Sequence, residues 1–99
     1  MRRIVLLCAT GLSTSLIIKK IQSAAQDQGY ECVVEAFPTT QAQLASTNAD
    51  VLLLGPQVRF DVERIQSLVA CPVAAIDVVD YGTMNGAAIL ALAKSILGD

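Results

Sequence analysis

The sequence has no histidine and no tryptophan, and only three cysteines in its 99 residues. Without histidine, imidazole acid–base catalysis within the chain is excluded, and most zinc sites with it. Cys8, Cys32 and Cys71 are odd in number, far apart and in no CxxC pair, so neither a disulfide framework nor a zinc site is expected. Charge is also scarce. Charged residues make up 16% of the chain and the net charge is −2, which gives nucleic-acid binding no electrostatic support. No run approaches the ~18 consecutive apolar residues that a bilayer-crossing helix needs. Arg2 and Arg3 precede an apolar run at residues 4–7, too short for a signal-peptide core, and the expected location is the cytoplasm. Neither G-x-x-x-x-G-K-[ST] nor G-x-G-x-x-G is present, so direct use of ATP or a dinucleotide is unsupported. No metal and no cofactor are expected.

What the chain has in quantity is apolar side chains, 54% of the total. That supports one well-filled core and a single domain over residues 1–99. Short apolar runs alternate with helix-period segments. Residues 3–7, 31–37, 50–54 and 72–76 read as strands, the second closed by Pro38 and the third by Gly55-Pro56. Between them, residues 14–28 read as a helix with Ile17, Ile21 and Ala24 inward, and Gly29 as its left-handed cap. Thr39 or Thr40 is placed to cap a short helix through Ser46. Residues 60–69 form a helix with Val62, Ile65, Leu68 and Val69 inward, and residues 85–97 a last one with Ile89, Leu92, Ala93 and Ile96 inward. Residues 77–84 read as a loop.

Strands alternating with helices predict an α/β fold: a three-layer, doubly wound sandwich around a four-stranded parallel sheet. Right-handed crossovers favour the strand order 2-1-3-4. In that order the chain reverses direction beside the first strand, and ligands of open α/β sheets bind at the carboxyl ends of strands at such a reversal. Cys8 is expected there, as the first residue past the strand.

The loop that follows, Cys8-Ala9-Thr10-Gly11-Leu12-Ser13-Thr14-Ser15, is made of small and hydroxylic residues and opens a helix. Such a loop can turn successive backbone N–H groups inward as an anion cradle, helped by the helix dipole and by the hydroxyls of Ser13, Thr14 and Ser15. Gly11 permits a left-handed angle or a close approach. Amide dipoles favour a thiolate, so a lowered Cys8 pKa is expected. The same amides would hold the oxygens of a phosphoryl group on sulfur, and phosphoryl transfer asks chiefly for positioning and charge stabilisation. Cysteine phosphatases carry C-x5-R; the sixth residue after Cys8 is Thr14. A cradle without that arginine suits a group that keeps its phosphate until an acceptor arrives. With no histidine in the chain, any phosphohistidine donor belongs to another chain or domain.

These residues carry a resemblance. Ile4-Val5-Leu6-Leu7 with the Cys8-to-Ser15 loop, Val34-Glu35-Ala36-Phe37-Pro38, Ala49-Asp50-Val51-Leu52-Leu53-Leu54-Gly55-Pro56-Gln57, and Ile76-Asp77 followed by Tyr81-Gly82 occur in order at natural spacing. Over nearly its whole length the chain resembles the cytoplasmic IIB component of the bacterial sugar phosphotransferase system, in its lactose/cellobiose (N,N′-diacetylchitobiose) family. The resemblance implies a fold like that of low-molecular-weight tyrosine phosphatase. It also implies a route: phosphoenolpyruvate as ultimate donor, a IIA partner whose phosphohistidine phosphorylates Cys8, and a sugar bound by the membrane IIC component as acceptor. In that reading Ala9, Thr10, Gly11, Leu12, Ser13, Thr14 and Ser15 cradle the phosphate, and Leu12 packs against the partners. A small carrier that docks two partners in turn is expected to be a monomer. Which sugar is served, cellobiose, chitobiose or lactose, is not encoded in these residues.

Two other classes are weighed against this carrier: a small cysteine phosphatase, disfavoured by the missing arginine, and a regulatory module. A response-regulator-like module would want an aspartate after the third strand, where Gly55-Pro56 stands. A regulatory IIB-like protein phosphorylated on Cys8 keeps the same site. Gln57, Val58 and Arg59 are placed at the sheet edge that carries Cys8. Asp80 and Tyr81 echo the acid-bearing loop of the small phosphatases, Asp80 reading as a solvated carboxylate and Tyr81 as a wall of the site or part of an ordinary turn. Lys19 and Lys20 read as a solvated helix face, and Cys32 and Cys71 as inert thiols.

Overall fold

A computed structural model of the chain describes residues 1–9 and 15–99. The elements run β1 (Arg2–Cys8), α1 (Ser15–Asp27), β2 (Cys32–Pro38), a 3-10 turn (Thr39–Gln41), α2 (Ala42–Ser46), β3 (Val51–Leu54), a 3-10 stretch (Pro56–Asp61), α3 (Val62–Gln66), β4 (Val73–Ala75), α4 (Val78–Gly82) and α5 (Gly86–Leu97). The four strands form one parallel sheet in the order β2-β1-β3-β4, as the alternation of elements predicts.

Both faces of the sheet are covered, which is why its central strands are apolar without alternation. Residues 4–7 of β1 and 51–54 of β3 are fully buried. Ile4 and Leu6 meet Ile17 and Ile21 of α1 and Ile89 and Leu90 of α5 on one side. Val5 and Leu7 meet Ala42 and Ala45 of α2 and Ile65 of α3 on the other. The pleat thus assigns successive residues of one strand to two separate half-cores. Asp50 sets the start of β3: its N–H donates to the Arg3 carbonyl at 2.9 Å, and its carboxylate accepts from the Arg3 N–H at 2.7 Å.

Gly29 ends α1 at φ +66°, the left-handed cap expected of it. Gly86 does something different. A Cβ there would lie 2.3 Å from the Lys20 carbonyl oxygen, so the lack of a side chain lets α5 touch the backbone of α1.

The structure changes several details. Residues 77–84 are not a loop: Asp77 caps α4, its carboxylate accepting from the N–H groups of Val79 at 3.0 Å and Asp80 at 3.3 Å. Neither Thr39 nor Thr40 caps a helix; Pro38 and Gln41 occupy the cap positions and neither makes a side-chain cap bond. The expected helix over 60–69 is only Val62–Gln66, because Pro56 opens a 3-10 stretch at once and Val58 leaves helical geometry at φ −118° and ψ 19°. Leu68 consequently falls beyond the helix and is exposed, while Ile65 stays buried. In α1 the third buried position is Ala25, four residues after Ile21, with Ala24 half-buried beside it. No helix among the described residues is long and apolar enough to cross a membrane.

Candidate functional site

Cys8 is the last residue of β1, not the first beyond it. Its register partner on β2 is Pro38, and on the other side Gly55 follows β3, its N–H donating to the Leu7 carbonyl at 3.0 Å. Cys8 therefore lies at the carboxyl end of one of the two central strands, at the edge where the strand order reverses. It is almost fully buried, 4% exposed.

Three residues from later in the chain converge on it. The Tyr81 hydroxyl, carried by α4, lies 3.8 Å from Cys8 Sγ. Gly55 stands between them: a Cβ at that position would be 3.7 Å from Sγ, 3.6 Å from Cε2 of the Tyr81 ring and 3.0 Å from Gln57 Oε1. A side chain there would crowd only the Gln57 amide oxygen and would reach the Tyr81 ring and the sulfur at ordinary van der Waals distance. The reach of Tyr81 depends on the Asp77 cap, since α4 begins there and the Tyr81 N–H donates to the Asp77 carbonyl at 2.9 Å.

Burial pushes the Cys8 thiol up from its ordinary value, and the hydrogen bond with Tyr81 pulls it partly back down. This reverses the direction expected from the sequence. The expected lowering rested on amides of the loop from Ala9 to Ser15, of which residues 10–14 lie outside the described residues. Burial pushes Cys32 and Cys71 up as well, and neither thiol has a tyrosine hydroxyl to offset it.

Of the expected cradle, Ala9 and Ser15 are described and exposed, one just past β1 and the other opening α1. Thr10, Gly11, Leu12, Ser13 and Thr14 fall outside the described residues. Arg59 is on the same edge, but its guanidinium is engaged within its own segment: Nη1 donates to the Pro56 carbonyl at 3.0 Å, and the group stacks 4.5 Å from the centre of the Phe60 ring. It also lines, with Pro56, Ala75, Ile76, Asp77 and Val78, a cleft of about 490 Å3 that opens beside Gly55. Lys19 and Lys20 face solvent on α1, as expected. The residue that sequence reasoning missed in this role is Gly55, for which its position after a strand gives no hint of a neighbouring thiol.

An open parallel sheet in 2-1-3-4 order, helices on both faces and a buried cysteine closing its first strand define an α/β domain with the fold of the small tyrosine phosphatases. The family described as the lactose/cellobiose-specific IIB subunit of the PTS system matches residues 3–92. The chain belongs to that family and is a sugar phosphotransferase-system component. Among curated proteins it is 40% identical to the cellobiose-specific EIIB component of Lactococcus lactis subsp. lactis, an alignment covering 95% of this chain and 94% of the other. It is 39% identical to the galactose-specific EIIB component of Lactococcus lactis subsp. cremoris over the same shares. Among solved structures, the cellobiose-specific IIB component of Borrelia burgdorferi superposes with a TM-score of 0.82 at 33% identity, covering 98% of this chain and 92% of that one. The lactose-specific IIB domain of Streptococcus pneumoniae superposes at 0.79 with 14% identity, covering 95% of each, and so shares the fold.

Proposed function

We propose that the protein is a cytoplasmic phosphocarrier that receives a phosphoryl group on Cys8 from the phosphohistidine of a IIA partner. It then passes the group to a sugar of the cellobiose, chitobiose or lactose class held by a membrane IIC component. The observation that carries this reading is the placement of Cys8: a buried thiol at the carboxyl end of the central strand, with the Tyr81 hydroxyl 3.8 Å from its sulfur.

In the first step the sulfur attacks phosphorus as the N–P bond of the phosphohistidine breaks, and the thiol proton ends on the departing imidazole. In the second, a sugar hydroxyl attacks, the S–P bond breaks, and the hydroxyl proton ends on sulfur. Both steps are in-line displacements in which the protein mainly positions the groups and offsets charge. The residues from Ala9 to Ser15 are assigned to hold the phosphoryl oxygens by their backbone N–H groups. Tyr81 is assigned to donate to sulfur or to the phosphoryl group it carries. Thr14 in place of the phosphatase arginine leaves the phosphocysteine without the clamp that hydrolysis uses.

The test is direct. Phosphoenolpyruvate, the general phosphotransferase proteins and the cognate IIA protein are incubated with this protein, and its intact mass and peptide map are measured. One added phosphoryl group on Cys8, absent in Cys8→Ser, is the expected result. An unmodified Cys8 in the presence of phosphorylated IIA sinks the proposal.

A further inference from the structure

On the face of the sheet covered by α2 and α3, a pocket of about 190 Å3 opens between the 3-10 turn after β2 and α3, lined by Thr39, Thr40, Ala42, Gln43, Arg64 and Leu68. It is distinct from the cleft beside Gly55, with which it shares no lining residue. Its walls divide by chemistry. Two threonines and a glutamine supply groups that can both donate and accept, and Arg64 supplies a planar cation. Ala42 and Leu68 supply an apolar surface, and Leu68 is half-exposed there with no core to enter.

The state of Arg64 bears on what would bind. Its Nε donates to Asp61 at 3.3 Å, an exposed contact that holds one edge of the guanidinium. The two terminal nitrogens remain for a bidentate oxyanion such as phosphate or carboxylate. Gln43 meanwhile takes up its backbone carbonyl as acceptor for Ser46 at 2.8 Å and Thr47 at 3.5 Å, not its side-chain amide. A ligand that satisfies all the walls has an anionic group for Arg64, several hydroxyls for Thr39, Thr40 and Gln43, and a C–H face for Leu68. The volume lies below the ~300 Å3 at which pockets for drug-sized ligands begin, which suits a single sugar ring.

We propose that this pocket is a second ligand site, for a phosphorylated monosaccharide, separate from Cys8. It is built next to the nucleophile's own strand partner: Thr39 follows Pro38, the residue paired with Cys8 across β1 and β2. An occupant there bears on the backbone that flanks the reactive edge without touching the thiol.

The test is a titration of isotope-labelled protein with glucose 6-phosphate, followed by amide NMR shifts, with glucose and inorganic phosphate as separate probes. Saturable shifts at Thr39, Thr40, Gln43 and Arg64 with glucose 6-phosphate, kept in Cys8→Ser, are expected. Arg64→Gln, an exposed change that leaves folding and Cys8 phosphorylation intact, should weaken binding about tenfold or more, the effect of losing one charge-assisted contact. Thr40→Val should weaken it less. Three results overturn the proposal: no saturable shift at these residues, equal binding of inorganic phosphate alone, or shifts confined to the Cys8 edge and lost in Cys8→Ser. The Cys8→Ser arm separates this site from the carrier reading, which stands or falls on phosphorylation alone.

Discussion

Cys8 is held between two opposed influences. Burial favours the neutral thiol, and the Tyr81 hydroxyl favours the thiolate. Thiolate is the nucleophile, so alkylation of Cys8 should rise with pH until the thiol has titrated, at a pH above that of a free cysteine. Tyr81→Phe removes the favourable contact and should raise the midpoint further. At neutral pH its iodoacetamide reaction should slow by roughly twofold to fivefold, the scale of a ~1 kcal/mol hydrogen bond tempered by its 3.8 Å length. An unchanged pH–rate profile in Tyr81→Phe would show that the hydroxyl does not act on the thiol. Gly55→Ala probes the same cluster from the other side. The new methyl would press first on Gln57 Oε1 at 3.0 Å, the far end of a flexible side chain that can move. Stability should therefore change by less than about 1 kcal/mol, while the Cys8 alkylation rate shifts because the methyl also reaches Sγ and the Tyr81 ring. Chemical denaturation and alkylation kinetics on one sample separate the two effects. The sequence makes Cys8 legible because a cysteine heads a small, hydroxylic loop. It cannot show Gly55 or the Tyr81 contact, since these depend on where residues 47 and 73 positions away return to the first strand.

Among the elements, α1 and α5 depend on a contact that no pattern of hydrophobicity reveals. Gly86 begins α5 against the backbone of α1, with a hypothetical Cβ only 2.3 Å from the Lys20 carbonyl oxygen and 2.7 Å from the Ile21 nitrogen. Backbone cannot yield as a side-chain tip does. Gly86→Ala should cost about 1–3 kcal/mol through forced separation of the helices, despite alanine's better helix propensity. A urea midpoint equal to that of the wild type would contradict the close approach. Elements were readable where one strong rule governed them. The four strands announce themselves as apolar runs, the second closed by Pro38 and the third by Gly55-Pro56, and α1 by a three-four spacing ended at Gly29. They were misread where short-range polar bonds decide. Asp77 turns residues 78–82 into a helix by accepting two backbone N–H groups. At Gln66 the side chain folds over the turn to β4, donating to the Cys71 carbonyl and accepting from the Val73 N–H, both at 2.9 Å. Each takes up backbone groups that apolar periodicity does not count.

For the whole molecule, the end of the sheet opposite Cys8 is closed by polar side chains that tie distant parts of the chain together. Arg2, which opens β1, binds the Asp99 carboxylate through Nε at 2.9 Å and Nη2 at 3.1 Å. The Tyr30 hydroxyl, just before β2, donates to the same carboxylate at 2.5 Å, and the Lys94 ammonium of α5 lies 4.9 Å from the Tyr30 ring centre. These contacts are exposed, so their worth is modest, but their pH dependence has a definite sign. Burial and the bond to Asp99 push Tyr30 up to about 12, above its ordinary 10.0. The folded state therefore holds this proton more tightly than the unfolded chain. The stability it contributes is complete below pH 10 and is lost as pH rises through about 12. Asp99 shifts the opposite way, held below its ordinary 3.8 by the hydrogen bonds from Arg2 and Tyr30, so its contribution is present above pH 3.8 and fades as pH falls through the folded value. Asp99→Asn removes the charge that both effects share. Its urea midpoint should lie below that of the wild type at neutral pH, and the gap should narrow toward strong acid, where the wild-type carboxyl is also neutral. The gap should narrow again above pH 10, because the wild type loses the Tyr30 proton contact that the variant has already weakened. A gap that stays constant from acid to alkaline pH would mean that Asp99 acts through packing and not through its charge. The phosphorylation proposed for Cys8 should be unchanged in the variant, since Arg2 and Cys8 stand at opposite ends of β1.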